Sequence, residues 1–126
     1  MPPPPRSLFR CLLLTLLVVA GSMTGVRGDE AQPTPTQLEF FEARIRPVLV
    51  KQCYECHSSQ SKKVKGNLLL DTRAGIRRGG DSGPSVVAGK PAESLLLDAL
   101  KYDGLEMPPK GKLGKQVLAD FQLWIR

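Results

Sequence analysis

The sequence feature that most constrains this chain is Cys53-Tyr54-Glu55-Cys56-His57, which spells C-x-x-C-H. Two thiols at this spacing can add across the two vinyl groups of one haem, and the histidine that follows can reach the iron from the same side. His57 is the only histidine in the chain. The motif therefore predicts one covalent haem c attached to Cys53 and Cys56, with His57 as an iron ligand. A buried haem would add much apolar area to the core.

Two haem-free interpretations of the motif stay open. A structural zinc site needs four strong ligands, whereas residues 29–126 contain two cysteines and one histidine. A thioredoxin-like redox pair is expected beside a βαβ pattern, whereas the apolar spacing here is helical. A separate run, Gly80-Asp81-Ser82-Gly83, matches the surroundings of the serine nucleophile in chymotrypsin-like proteases. That chemistry needs a histidine base, and His57 belongs to the haem motif, so we interpret the run as a tight turn near the haem.

Met107 is the predicted second axial ligand of the iron. It is the only methionine after residue 28, and it stands directly before Pro108-Pro109 in a loop. A thioether sulfur suits haem iron, and a His/Met pair raises the reduction potential. The alternative is a methionine that fills a gap in the core. Because the two prolines hold the loop extended, we favour His57 and Met107 as the axial pair.

The first 28 residues have the pattern of a secretory signal peptide. Two arginines precede the apolar run from Cys11 to Ala20, and small residues that allow cleavage follow at Ser22 and Gly28. The apolar run is shorter than the ~20 residues of a membrane-spanning helix, so a membrane anchor is expected only if the signal is uncleaved. Residues 29–36 form a predicted linker, and residues 37–126 form one predicted domain. We expect an exported protein in the periplasm or another extracytoplasmic compartment.

The charge balance gives little support to a nucleic-acid partner. The chain has 18 basic and 12 acidic residues, but three arginines lie in the first 28 residues, which leaves 15 and 12, a net charge of +3. Aromatic and basic residues are not interleaved as in nucleic-acid binding. Lys62, Lys63 and Lys65 form either a docking patch for an acidic redox partner or a solvated loop. We predict a redox partner protein of unknown identity and no nucleic acid.

Apolar residues at helical spacing predict an all-α fold. Four helices are expected, from Gln37 to Gln52, from Thr72 to Arg78, from Pro91 to Tyr102 and from Gly114 to Arg126. Thr36 with Glu39 fits a capping box at the start of the first helix, and Asp71 is the expected cap of the second. Pro47 should kink or break the first helix, because it lacks a backbone donor. The apolar faces of the first and last helices should pack together.

In this order of elements the chain resembles a small class I c-type cytochrome and, more narrowly, the planctomycete-type cytochrome c domain. The matching stretches are Phe40-Phe41-Glu42, Ile45 to Leu49, Cys53 to His57, Gly79 to Pro84, Gly89-Lys90-Pro91, Ser94-Leu95-Leu96 and Met107-Pro108-Pro109. The resemblance covers about residues 38–126. It implies a helical domain around one covalent haem at Cys53 and Cys56, with His57 and Met107 as axial ligands.

The resemblance further implies electron transfer rather than enzymatic catalysis, with haem c and its iron as the cofactor. In the family this domain usually opens a longer secreted protein, so we expect the N-terminal module or a fragment of such a protein. Two alternatives come from other classes. A haem enzyme or gas sensor would need an open iron site, which Met107 would block, and a non-redox structural module would use haem mainly to complete the core.

Overall fold

The computed structural model describes residues 32–126; the predicted signal peptide and the start of the predicted linker lie outside them. Five α-helices follow one another in this part of the chain: α1 (Pro35–Phe40), α2 (Arg46–Gln52), α3 (Arg73–Arg78), α4 (Leu95–Lys101) and α5 (Lys115–Ile125). Within residues 32–126 the structure has one isolated β-bridge, between Gly80 and Gly83. The predicted all-α fold is confirmed. None of the helices in this range is long and apolar enough to cross a membrane.

The first helix begins two residues earlier than predicted. The Thr34 side chain accepts a hydrogen bond from Gln37 N at 3.3 Å, and Thr34 N donates to Gln37 Oε1 at 2.8 Å. This capping box replaces the predicted one at Thr36, because Pro35 suits the first helical turn, where no backbone donor is needed. Pro35 and Thr36, which we assigned to the linker, therefore belong to α1.

Pro47 changes the hydrogen-bond register of this helix without ending it. A π-helical segment, Phe41–Ile45, joins α1 to α2, and Arg46 N donates to Phe41 O, five residues back. Pro47 then occupies the second position of α2, in a first helical turn, where a missing donor is tolerated. The predicted kink or break is therefore a local π-turn, and the helical run continues to Gln52.

Thr72, and not the predicted Asp71, caps α3. Thr72 Oγ1 accepts a hydrogen bond from Gly75 N at 3.0 Å. Asp71 Oδ2 instead accepts hydrogen bonds from Ser59 Oγ at 2.6 Å and from Ser59 N at 2.7 Å. These bonds hold the pKa of the Asp71 carboxyl below its ordinary value. Asp71 thus ties the loop after the C-x-x-C-H motif to the start of α3.

The third predicted helix, from Pro91 to Tyr102, is divided in two. Pro91–Glu93 form a 3-10 turn, and α4 begins only at Leu95. Ser94 between them has an extended backbone (φ −99°, ψ 107°) and is fully buried. Its hydroxyl accepts a hydrogen bond from Val87 N at 2.9 Å. This contact with a residue earlier in the chain favours the break in the helix.

The hydrophobic core joins the first helical run to α3, α4 and α5. Its buried members are Ile45, Leu49, Leu70, Ile76, Leu96, Leu97, Leu100, Phe121 and Ile125. The ring centroids of Phe41 and Trp124 lie 5.6 Å apart, and Arg44 Nε lies 3.1 Å from Asp120 Oδ2. The predicted packing of the first helix against the last is confirmed.

Candidate haem site

The C-x-x-C-H motif forms a tight turn at the end of α2. Cys53 caps the helix, and its N donates to Leu49 O at 2.9 Å. Cys53 O accepts hydrogen bonds from Cys56 N at 3.1 Å and from His57 N at 3.0 Å. These local hydrogen bonds hold Cys53, Cys56 and His57 within one turn of the chain, so that closeness in sequence becomes closeness in space.

All four predicted site residues line one cavity of about 520 Å³. Cys53, Cys56 and His57 come from the turn after α2, and Met107 comes from the loop after α4. The wall is mostly apolar and takes its residues from the stretches 52–57, 65–70, 80–85, 95–100 and 105–110. Its volume lies within the range of about 300–1,000 Å³ that is usual for ligand pockets. The fold therefore brings the C-x-x-C-H motif and Met107, which are far apart in sequence, to the same cavity.

Both cysteines of the motif are free thiols. Burial raises the pKa of the Cys53 thiol to about 11, so this thiol is neutral at neutral pH. The Cys53 thiol is therefore a poor nucleophile toward disulfides, because exchange proceeds through the thiolate. Two free thiols at the wall of the cavity are the form that thioether attachment requires.

His57 is held by its backbone, while atom Nδ1 of its ring lacks a partner among the described residues. The His57 carbonyl accepts a hydrogen bond from Leu70 N at 2.7 Å. The ring atom Nδ1 is buried and makes no hydrogen bond within residues 32–126. A buried polar atom without a partner costs about 1–3 kcal/mol. An imidazole that lines an apolar cavity and makes no hydrogen bond through Nδ1 to the described part of the chain is available to a bound group.

Met107 lies at the cavity and outside the hydrophobic core. It is 38% exposed and is not a member of the core cluster, so the alternative of a core methionine is wrong. Its backbone N donates to Ala99 O at 3.0 Å, which ties the loop to α4. Leu105, at 43% exposed, lines the same cavity. A bulky apolar group in the cavity would cover both side chains.

The run from Gly80 to Gly83 is a tight turn against the cavity, as predicted. Gly80 and Gly83 exchange two backbone hydrogen bonds of 3.1 and 3.0 Å, and Asp81 and Ser82 between them also line the cavity. A Cβ atom at Gly80 would collide with the carbonyl oxygen of Gly66. Glycine is needed at this position because two chain segments approach closely beside the cavity.

Charged side chains at the cavity are solvated. Lys110 Nζ lies 3.1 Å from Glu55 Oε2, and the two side chains are 78% and 79% exposed. Both residues line the cavity, but an ion pair of this kind contributes little to stability. Of the predicted basic cluster, Lys65 alone lines the cavity. The docking patch for a redox partner stays a prediction.

A second depression, of about 480 Å³, contains none of the predicted ligand residues. It is lined by residues between Val64 and Asp81, and it shares Gly80 and Asp81 with the cavity described above. The thiols, the imidazole and the thioether all belong to the other cavity. The chemistry expected of the site is therefore concentrated there.

The donor set of the cavity fits haem c. It combines two free thiols at C-x-x-C spacing, one imidazole and one thioether on an apolar wall; these are the attachment groups and axial groups of c-type haem. Among residues 32–126, no three His, Cys, Asp or Glu side chains cluster as a metal site, so the zinc alternative has no ligand set there. Sequence reasoning missed Leu105, for which the nearness of Met107 in the chain was the available signal.

Comparison with known families agrees with this chemistry. Residues 53–111 match the family model described as Planctomycete cytochrome C. The matched stretch begins at Cys53 and extends past Met107, so it includes all four predicted site residues, although it is shorter than the predicted span of about 38–126. No curated protein and no solved structure matches the chain.

The family match sets the general class of the molecule. Cytochrome c domains bind haem, usually carry electrons rather than act as enzymes, and typically work outside the cytoplasm. The helical fold, the C-x-x-C-H turn and the shared cavity are the features that such a domain needs. The match over residues 53–111 therefore supports a planctomycete-type cytochrome c domain.

Proposed function

We propose that this domain is a monohaem c-type cytochrome that holds haem c covalently and transfers electrons. Cys53 and Cys56 would form the thioether bonds, and His57 and Met107 would be the axial ligands of the iron. One observation carries the proposal: the C-x-x-C-H turn and the loop after α4, which are about 50 residues apart in sequence, line the same apolar cavity.

Each of these residues has a separate task. Haem, when bound, supplies an iron that alternates between the ferrous and ferric states. Cys53 and Cys56 would anchor the group to the end of α2, so that binding does not depend on the small core alone. His57 presents an imidazole from the same turn. Met107 presents a thioether, a ligand that raises the reduction potential when it is paired with histidine.

A filled sixth position favours electron transfer over catalysis. With His57 and Met107 both bound, no position is left for carbon monoxide, oxygen or peroxide, and the ligands are the same in both oxidation states. Little of the protein then rearranges when an electron arrives or leaves. Met107 supports this assignment because it lines the cavity rather than the core.

We place the domain outside the cytoplasm, as the N-terminal module or a fragment of a larger secreted protein that exchanges electrons with a redox partner protein. The signal-peptide pattern of the first 28 residues supports export. The usual place of cytochrome c domains agrees with it. The partner is expected to be a protein rather than a nucleic acid, because the net charge after the signal is small.

Covalent attachment is tested by the double variant Cys53→Ala, Cys56→Ala, expressed beside a haem-attachment system. The unsubstituted protein should stain for haem on a denaturing gel, because only covalently bound haem survives denaturation, and the double variant should lose the stain completely. Gln122→Ala, at an exposed position of α5, is the control and should stain normally. Staining that persists in the double variant would refute the proposal.

Electron transfer is tested by adding carbon monoxide to the reduced, haem-loaded protein. We expect slow binding or none, together with a methionine–iron absorption band in the far red for the ferric form. Rapid carbon monoxide binding without that band would replace this proposal with an enzyme or gas sensor that has an open iron site.

A further inference from the structure

Tyr102 ends α4 in an unusual backbone conformation. Its φ of 65° and ψ of 39° are left-handed, a region in which glycine is the usual residue. A tyrosine is rarely found there unless its surroundings hold it in place. The side chain of Tyr102 is therefore the place to look for a compensating role.

That side chain contacts the loop that carries Met107. Tyr102 Oη donates a hydrogen bond to Pro108 O at 2.5 Å, and Met107 N donates to Ala99 O at 3.0 Å. The chain is thus bound to the end of α4 both at Met107 and at the residue that follows. Pro108 is buried, whereas Met107 is exposed.

The loop also returns to the aromatic ring of the tyrosine. Lys112 Nζ lies 5.1 Å from the centroid of the Tyr102 ring, a distance at which a cation is attracted to the ring face. The loop from Pro108 to Lys112 therefore folds around one side chain. Tyr102 itself is absent from the wall of the cavity, so it would not touch a group bound there.

The Met107 loop has few other anchors. Between residues 103 and 112 only Pro108 is buried, and Gly104 and Gly111 both have positive φ angles. A methionine side chain has three rotatable bonds, so its sulfur can stay at one point only if the backbone beneath it is fixed. The hydrogen bond from Tyr102 to Pro108 is the side-chain contact next to Met107 that fixes it, because the ion pair of Lys110 with Glu55 in the same loop is exposed to solvent.

We propose that Tyr102 is a positioning residue, whose hydroxyl holds the Met107 loop against α4 and so keeps the sixth position of the iron closed to external ligands. This inference rests on the proposed function, since it takes Met107 as the axial ligand. The hydroxyl, rather than the ring, makes the contact with Pro108.

The test is Tyr102→Phe in the haem-loaded protein, with imidazole as the probe for the ferric form and carbon monoxide for the ferrous form. Loss of one hydrogen bond of ordinary net strength should lower the apparent imidazole Kd about five- to tenfold, because Met107 leaves the iron more readily. The methionine–iron band should weaken in the same variant. Thermal unfolding, followed by circular dichroism, shows whether the helices remain intact.

Thr72→Val is the matched control. It removes one side-chain hydrogen bond, which Thr72 Oγ1 accepts from Gly75 N at 3.0 Å, at a residue that does not line the cavity. This variant should bind imidazole like the unsubstituted protein. Lys112→Gln, which removes the cation above the Tyr102 ring, should produce a smaller effect of about twofold.

The outcomes separate this inference from the proposed function. If the unsubstituted protein shows the methionine–iron band and Tyr102→Phe binds imidazole with the same Kd, the positioning role is wrong while the ligation stands. If the unsubstituted protein lacks the band, the ligation by Met107 fails, and the positioning role fails with it. A lower imidazole Kd in Tyr102→Phe, but not in Thr72→Val, supports the inference.

Discussion

Two regions of the domain differ in whether their buried polar groups find partners within the protein. One region consists of the packed helices α1, α2 and α5, and the other is the side of the domain that lines the cavity. Asp120 in α5 is buried, but its carboxylate accepts hydrogen bonds from Arg44 Nε at 3.1 Å and from Gln116 Nε2 at 2.9 Å. On the cavity side, His57 Nδ1 is buried without a partner and Met107 is exposed. The packed helices therefore support the fold by their own contacts, whereas the cavity side has the properties of a surface that a bound group completes.

Met107→Ala gives the largest expected effect on the cavity side. Loss of the thioether should open the sixth position, so that the reduced haem-loaded protein binds carbon monoxide rapidly. The reduction potential should fall on the order of 0.1 V or more, within the span of about 0.8 V that axial ligands control. Spectroscopic redox titration and carbon monoxide binding measure the two effects.

Leu105→Ala is the comparison for this variant, because Leu105 lines the same cavity and offers no ligand atom. It should change the potential less than Met107→Ala, and it should leave the sixth position closed. If the two variants behave alike, Met107 contributes only apolar surface to the cavity, and the axial assignment is wrong.

Trp124→Ala is the strongest expected perturbation of the packed helices. Trp124 is half-buried and contacts Phe41, and it meets Phe121 edge-on at 6.0 Å. A fully buried tryptophan costs about 3–5 kcal/mol when it is replaced by alanine, so roughly half of that, about 1.5–3 kcal/mol, is expected here. Urea unfolding measures the loss. The neighbouring change Leu123→Ala, at a site 56% exposed, should cost less than about 0.5 kcal/mol.

Hydrogen exchange compares the two regions directly. In the double variant Cys53→Ala, Cys56→Ala, prepared without haem, the protected amides of residues 95–113 should exchange about tenfold faster or more than in the haem-loaded protein, because local openings there lose a stabilising ligand. The amides of α5 should accelerate less. Equal acceleration in both regions would show that the packed helices depend on haem as much as the cavity side does. The two regions would then not differ in their need for a bound group.

The sequence predicted which residues share the cavity better than it predicted the ends of the helices. Cys53, Cys56 and His57 form a local signature whose spacing is set by covalent chemistry, so no knowledge of the fold is needed to find them. The helix caps were wrong where equivalent side chains compete within two residues. Thr34 and Thr36 are such a pair, and the position of Pro35 decides between them.

The remaining errors depend on contacts that are distant in sequence. Asp71 was a reasonable helix cap, but hydrogen bonds from Ser59, 12 residues away, hold it elsewhere. Tyr102 was predicted only as the end of a helix. Its contact with Pro108 requires the following loop to fold back against α4. The helix propensities of individual residues do not predict how a loop folds back.

Asp120→Asn is the smallest predicted effect, and it refines the view that the packed helices satisfy their own polar groups. Asparagine keeps one carbonyl acceptor but loses the charge that faces Arg44, whose side chain is 50% exposed. Because solvent screens that half-exposed partner, the loss should be about 1 kcal/mol rather than the ~3–5 kcal/mol of a broken buried ion pair. Urea unfolding at low and high salt measures it, and the loss should shrink as salt screens the pair in the unsubstituted protein.

Glu93→Gln is the control, since Lys90 and Glu93 are both 59% exposed, and it should change stability by less than about 0.5 kcal/mol. A loss at Asp120 no larger than the loss at Glu93 would mean that apolar packing alone joins α5 to the first helical run.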